Sequence, residues 1–178
     1  TDDALLEATE TLDAQISNSS NVAVTIAGAN ASANITDNDT AQVSIAANVP
    51  AAGEPATNGQ FTVTLTVPSS TNTVINYTVT GTATPGAGND YTTLSGSVTI
   101  LAGTTTATID VTVLDDALIE SAETVIVTLS SIVSGDPEIS INGAASPSML
   151  KMESVTISLR PARLVASKRA SSATSQWG

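Results

Sequence analysis

The sequence predicts an all-β protein made of antiparallel β-sandwich repeats, each with about seven strands. Three observations support this prediction. Apolar side chains alternate with Thr and Ser along several short segments, which is the period of a strand that buries one face. Hydrophobic residues make up 41% of the chain but aromatic residues only 2%, and Val, Ile, Leu and Ala dominate the apolar content. No segment carries an apolar stripe with the 3.6-residue period of a helix.

The predicted strands are short and are separated by Gly-, Pro- and Asn-containing segments that break regular structure. This spacing of short strands and turn residues is typical of an immunoglobulin-like sandwich. In chain order, the predicted strands cover 42–46, 61–67, 75–79, 98–100, 109–113, 125–129 and a segment after Pro137.

An internal repeat defines the predicted domain organisation. Residues 2–11 read DDALLEATET and residues 115–124 read DDALIESAET, so seven of ten positions are identical at an offset of 113. A fixed period of this kind indicates tandem copies of one folding unit. We therefore predict the C-terminal part of one repeat at 1–39, a nearly complete repeat at 40–145, and the start of a third repeat or an anomalous basic tail at 146–178.

The composition excludes several classes of function. With 17 acidic and 5 basic residues, the chain has a net charge of −12 and should repel nucleic acid and anionic membrane surfaces. Neither His nor Cys occurs, which removes Ser-His-Asp and Cys-His catalysis and the usual transition-metal sites. Carboxylate-pair glycoside hydrolysis stays formally open, but the shortage of aromatic platforms for sugar counts against it. We do not expect an enzyme.

Acidic residues concentrate in the predicted loops. Asp90 lies in a Gly-rich loop, and a group of four acids follows the strand that ends near Val113. Because loops that leave alternate strands meet at one end of a sandwich, these carboxylates are expected to converge there. Calcium is held by six to eight oxygen atoms and needs no nitrogen or sulfur ligand. The alternative is that the acids are solvated loop charges. The residues concerned are Glu54, Asp90, Asp115, Asp116, Glu120 and Glu123.

The order of these motifs resembles the Calx-beta domain, a calcium-binding family that recurs in tandem in large bacterial surface proteins. The segments that carry the resemblance are GTATPGAGNDYT at 81–92, the Asp-Asp-x(3)-Glu-x(2)-Glu loop from Asp115 and the ITDND motif at 35–39. The resemblance implies calcium ligands in both copies. Glu10 and Glu123 match acidic positions of the family, but we interpret them as lying behind the ligands or toward solvent. The implied ligands are Glu54, Asp90, Asp115, Asp116 and Glu120 in the complete repeat, and Asp2, Asp3, Glu7, Asp37 and Asp39 in the preceding copy.

The C-terminal segment departs from the repeat. Where a second ITDND motif is expected, residues 148–152 read SMLKM, and all five basic residues lie at or after Lys151. Residues 154–158 still match the strand at 42–46. With codons chosen by back-translation within the degeneracy of the genetic code, 166–178 shifted by one base can be read as ASEPAVPPVNG, which is similar to AGEPATNG at 52–59. We interpret the segment from about 160 as an out-of-frame or mis-assembled copy of the next repeat; the alternative is a genuine basic tail that docks on an acidic neighbour.

Three functions fit these observations. The first is a calcium-stabilised spacer or assembly module of an extracellular bacterial adhesin or surface filament. The second is a regulatory calcium-sensing domain, as in the sodium–calcium exchanger that gave the family its name. The third is an ice- or carbohydrate-binding sandwich that uses exposed rows of Thr. The expected partners are neighbouring repeats or identical subunits, which could complete the partial repeat at 2–39 by strand complementation into oligomers or filaments.

Overall fold

The protein is all-β, as the sequence predicted. A computed structural model describes residues 3–116, 120–142 and 148–153. No helix long and apolar enough to span a membrane occurs in the described part of the chain. In chain order, the strands are β1 (Glu10–Gln15), β2 (Asn30–Ile35), β3 (Ala41–Val49), β4 (Ala51–Gly53), β5 (Gly59–Leu65), β6 (Thr73–Gly81), β7 (Ser97–Ile100), β8 (Thr106–Val111), β9 (Glu123–Ser134), β10 (Ile139–Ile141) and β11 (Ser148–Glu153).

Nine of these strands form a two-layer sandwich. One sheet has the order β10-β3-β5-β8, and the other has the order β4-β11-β9-β6-β7. The internal pairings are antiparallel, which confirms the predicted fold class, whereas β10 pairs with β3, and β11 with β4, in parallel at the margins. The five-stranded sheet takes residues 148–153 as β11, next to β9. The predicted repeat boundaries stay a prediction.

The core lies between the two sheets and follows the period of two. Along β5, the side chains of Phe61, Val63 and Leu65 are buried, while the Thr residues between them are partly or fully exposed. From the facing sheet, Val125 and Val127 of β9 are also fully buried. Alternating burial of this kind fixes the register, because a slip by one residue would turn every apolar side chain outward.

The strand directions bring three loops to one end of the sandwich, which we call the acidic pole. These are the segments after β4, after β6 and after β8, at 54–58, at 82–96, and at 112–116 with 120–122. The turns at 66–72 and 101–105 lie at the other end, which we call the basal pole. The loops that carry the acids predicted for the complete repeat therefore lie at one pole of the sandwich.

Residues 3–39 form an arm that precedes the sandwich. Its strands β1 and β2 pair only with each other, as a two-stranded antiparallel ribbon. Before the ribbon, the backbone of Leu6 inserts at the basal pole, where its N–H donates to the Pro68 carbonyl at 3.0 Å and its carbonyl accepts from the Ser70 N–H at 2.9 Å. The Leu6 side chain is fully buried and belongs to the sandwich core. The buried side chain of Leu6 and its two backbone hydrogen bonds thus attach the arm to the sandwich.

Candidate metal site

Three carboxylates meet at the acidic pole. Oxygen atoms of Asp90, Glu120 and Glu123 all lie within 4.8 Å of one another. Asp90 comes from the loop after β6, whereas Glu120 lies in the connection between β8 and β9 and Glu123 is the first residue of β9. Two separate segments of the chain therefore supply the cluster, and its geometry depends on the folded sandwich.

Asp90 is the fixed member of the cluster. The residue is 93% buried, and its Oδ2 accepts a hydrogen bond from the Thr84 N–H at 2.5 Å. Its backbone N–H donates to the Thr84 carbonyl at 3.1 Å, and its carbonyl accepts from the Leu114 N–H at 2.9 Å. These contacts bind the loop to itself and to Leu114 in the segment after β8. They hold one carboxylate in place before any ligand arrives.

Glu123 is the residue whose position the sequence reasoning placed differently. On the sequence it is expected behind the ligands or toward solvent, but its carboxylate lies in the cluster. Glu123 is the first residue of β9 and shares the inward phase of Val125 and Val127, which are buried. The strand period therefore points the Glu123 side chain inward, at the mouth of the sandwich. The position of Glu123 could therefore have been predicted from the period of two along β9.

The carboxylates of the cluster carry like charges, and their closeness and their burial raise the pKa of two of them. A side-chain hydrogen bond with Asp90 and the negative charge of Asp90, followed by burial and the charges of Asp116 and Glu123, raise the pKa of Glu120. Burial, followed by the contact with Asp90, raises the pKa of Glu123. Burial, followed by the charge of Asp90, raises the pKa of the neighbouring Tyr91. Lys151 is the sole basic residue in the described part of the chain.

These shifts predict how the stability of the calcium-free protein depends on pH. A carboxyl whose pKa is raised by folding binds its proton more tightly in the folded state, so stability falls as pH rises above the ordinary value near 4.5 and through the folded pKa. In chelator, we expect the melting temperature to be higher at pH 5.5 than at pH 7.5. The Glu120→Gln, Glu123→Gln double variant should lose most of this difference. An equal slope in the variant would contradict the prediction.

The other acids predicted for the complete repeat lie around the cluster. Glu54 Oε1 accepts a hydrogen bond from the Asp116 N–H at 3.3 Å, which joins the loop after β4 to the loop after β8. Asp116 is near enough for its charge to act on Glu120. Asp115 is exposed. The structure therefore brings Asp90 and Glu120 together and places Glu54 and Asp116 beside them, while Asp115 faces solvent.

The acids predicted for the preceding copy form a smaller group near the basal pole. The Glu7 N–H donates to Asp37 Oδ2 at 2.8 Å, and the Asp39 N–H donates to Asp37 Oδ1 at 3.1 Å. These two bonds lower the pKa of Asp37, the Glu7 contact most. Burial, then the charges of Glu10, Asp3 and Asp37, raise the pKa of Glu7. Asp2 lies outside the described residues.

The donor set at the acidic pole fits calcium. All three clustered side chains offer oxygen, and carboxylates bind calcium through one or both oxygens at 2.3–2.6 Å. Three carboxylates supply three to six of the six to eight oxygens that calcium takes, which leaves positions for backbone carbonyls or water. A divalent cation here would also offset the negative charge of Asp90 that acts on Glu120 and Glu123. Asp90, Glu120 and Glu123 are the residues that would hold it.

The fold and the site together define a β-sandwich domain with an acidic pole suited to a hard cation. Residues 36–158, more than half of the chain, match the family model of the Calx-beta domain. The chain belongs to the Calx-beta family of calcium-binding β-sandwich domains. A search of curated proteins found no match.

One solved structure supports the same fold. The apo form of the Calx CBD1 domain superposes with a TM-score of 0.50 at 12% identity, over 66% of this chain and 100% of that domain. Lower similarity is found to the calcium binding domain CBD12 of CALX1.1, with a TM-score of 0.47, 14% identity and coverage of 62% and 44%. A two-domain protein of unknown function from Bacteroides fragilis gives a TM-score of 0.44, 14% identity and coverage of 65% and 46%. The chain thus spans less than half of these two larger proteins.

Proposed function

We propose that this chain is a calcium-stabilised structural repeat of an extracellular bacterial adhesin or surface filament, and not an enzyme. Its complete repeat binds calcium at the acidic pole through Asp90, Glu120 and Glu123, with Glu54 and Asp116 beside them. The observation that carries the proposal is the convergence of three carboxylates within 4.8 Å at a pole where the described chain offers no basic residue except Lys151. Asp3, Glu7, Asp37 and Asp39 of the preceding copy are proposed as a second, smaller calcium site.

The spacer role is supported by how the copies are joined. The segment that holds Leu6 is a copy of the acidic loop at 115–124, and Leu6 is buried in the core of the following sandwich. A contact of this kind makes the junction a packed interface, as a stiff array requires. The absence of Cys and the strong negative charge suit a secreted chain in calcium-rich surroundings.

Calcium is expected to raise the melting temperature of the full chain. A ligand that binds only the folded state stabilises by RT ln(1 + [L]/Kd). If the site has the affinity of an extracellular module, about 0.1–1 mM, then about 10 mM calcium contributes roughly 1.4–2.7 kcal/mol. For a domain of this size, that is a shift of about 5–20 °C. Magnesium should do much less, because it is smaller and sheds water reluctantly.

The decisive variant is Glu120→Gln with Glu123→Gln, which removes two charges from the cluster without changing side-chain size. It should lose most of the calcium shift. The matched control is Asp110→Asn with Glu138→Gln, which removes two exposed charges elsewhere and should keep the shift. Melts in calcium and in chelator at equal ionic strength compare the three proteins. If the wild type melts at the same temperature in calcium and in chelator, the calcium site is contradicted. The acids of the cluster are then solvated loop charges.

A second candidate function is a regulatory calcium sensor, and the uncompensated charge of the cluster favours it. We expect repulsion among Asp90, Glu120 and Glu123 to make the calcium-free state differ from the bound state, as a sensor requires. Affinity separates the two candidates, because sensors bind near 10⁻⁷–10⁻⁵ M and extracellular modules near 10⁻⁴–10⁻³ M. A calcium titration by calorimetry measures it. A dissociation constant below about 10 µM would favour the sensor.

A further inference from the structure

A polar cavity opens at the side of the sandwich, where the edge strands β7 and β8 of the two sheets lie near each other without pairing. Its volume is about 230 Å³. One wall is formed by residues between 92 and 97, which lead into β7, and the other by residues between 108 and 112, at the end of β8. None of the three clustered carboxylates lines it, so the cavity is separate from the candidate metal site.

Hydroxyl groups dominate the lining of this cavity. Seven of its ten lining residues are Ser, Thr or Tyr. Four of these hydroxyl groups make no hydrogen bond to any described residue; they belong to Thr92, Thr93, Thr108 and Thr112. Asp110 adds a carboxylate, whose Oδ1 accepts a hydrogen bond from Gln60 Nε2, while Oδ2 has no partner among the described residues. These groups are therefore available to a ligand.

The backbone holds the walls of the cavity, so its shape is formed before any ligand binds. The Thr92 N–H donates to the Thr112 carbonyl at 2.9 Å, which joins the two walls. The Tyr77 N–H donates to the Gly96 carbonyl at 2.9 Å, and the hydroxyl group of the buried Tyr77 lies 3.2 Å from Ser95 Oγ. A ligand that enters a preformed cavity spends less free energy on ordering the protein.

The chemistry of the lining favours a neutral ligand that carries many hydroxyl groups. Hydroxyl side chains both donate and accept hydrogen bonds, whereas the Asp110 carboxylate only accepts, so the ligand must carry several donors that also accept. An anion would meet this carboxylate and a net charge of −12, and no basic residue lines the cavity. A single carboxylate also gives a calcium ion too few charged ligands.

The size and the apolar part of the cavity narrow the choice further. Leu94 and Ile109 supply a small apolar surface, which suits the C–H groups of a ring. A volume of about 230 Å³ corresponds to roughly seven water molecules at about 30 Å³ each. One sugar ring with its hydroxyl groups has about this size.

We propose that this cavity binds one neutral sugar residue. The Asp110 carboxylate accepts hydrogen bonds from hydroxyl groups of the sugar, and the Thr hydroxyl groups of the two walls exchange hydrogen bonds with the others. The apolar face of the ring lies toward Leu94 and Ile109. One ring in one small cavity gives millimolar affinity, which tandem copies of the repeat would strengthen through multivalency. The site does not depend on calcium, so it adds a glycan contact to the proposed spacer role.

Titration of the full chain with single monosaccharides, followed by amide chemical shifts, tests the proposal. The probes are glucose, galactose, mannose and N-acetylglucosamine, each up to about 100 mM in chelator, so that the result is independent of the proposed calcium site. At least one sugar should shift the amide signals of Thr92, Thr108 and Asp110 with a dissociation constant of about 1–10 mM. Glycerol, which has hydroxyl groups but no ring, should give no saturable shift.

A pair of double variants locates the binding. Thr108→Val with Thr112→Val removes two of the free hydroxyl groups and keeps β-branched side chains of the same shape, so the dissociation constant should rise by at least about tenfold. The matched control is Thr62→Val with Thr64→Val on the neighbouring strand β5, where Thr62 lies directly opposite Thr108 and neither residue lines the cavity. This control should keep the affinity of the wild type.

Three outcomes would overturn the proposal. They are the absence of a saturable shift with all four sugars, an equal saturable shift with glycerol, and equal affinity in the two double variants. In each case the cavity holds water or an unspecific polyol rather than a sugar residue.

Discussion

Replacing Leu6 by Ala should lower the free energy of unfolding of the sandwich by about 2–5 kcal/mol. Leu6 has no exposed surface and packs in the core, although it lies 35 residues before the first strand of the sandwich, β3, begins at Ala41. The substitution removes buried methyl groups and leaves a cavity at the basal pole. The flanking backbone bonds, from the Leu6 N–H to Pro68 and from the Ser70 N–H to Leu6, cannot close that cavity.

Leu5→Ala is the matched control, because it is the same substitution one residue away on a side chain that is only partly buried. We expect it to cost less than about 1 kcal/mol. Urea unfolding of the three proteins gives the comparison, with the midpoint and the slope fitted together. If Leu6→Ala and Leu5→Ala unfold at the same urea concentration, the arm does not contribute to the core.

Much of the sandwich could be predicted from local pattern alone. The alternation through Phe61, Val63 and Leu65 specifies which side of β5 is buried, because the side-chain period of a strand is two and only one face meets the core. The convergence of Asp90 with Glu120 followed from chain direction, since strands that run the same way end at the same pole. Both inferences needed only the period and the order of the strands.

The features that escaped prediction depend on contacts between distant segments. Nothing near Leu6 in the sequence indicates that it inserts beside Ser69, because its acceptor is formed by a turn more than 60 residues away. The parallel pairing of β11 with β4 likewise joins residues about 100 positions apart. Glu123 differs from these, because its inward phase was readable from Val125. In the sequence-based prediction, the strand period was not extended back to that position.

Replacing Gly81 by Ala should be among the most damaging single substitutions in the chain. Gly81 ends β6 with a φ of +128°, a backbone conformation that residues with a side chain rarely adopt. A Cβ there would lie 2.0 Å from the carbonyl oxygen of Thr124. That oxygen accepts hydrogen bonds from the N–H groups of Thr82 and Ala83, at 3.0 and 3.1 Å. Since a backbone carbonyl cannot swing aside as a side chain can, β6 and β9 must separate at this point. We expect a loss of more than about 3 kcal/mol.

Gly81→Ala should also disturb the metal site, which backbone strain alone would not do. Thr124 follows Glu123 directly, so displacement of its carbonyl also moves a carboxylate of the cluster. Gly88→Ala is the matched control: it lies in the loop after β6, its φ is +80°, and no atom lies within 4 Å of an added Cβ. It should cost only the strain of the left-handed conformation, about 1–2 kcal/mol, and should keep the calcium shift. Urea unfolding and melts with and without calcium measure both effects, and a Gly81→Ala protein as stable as Gly88→Ala would refute the predicted clash.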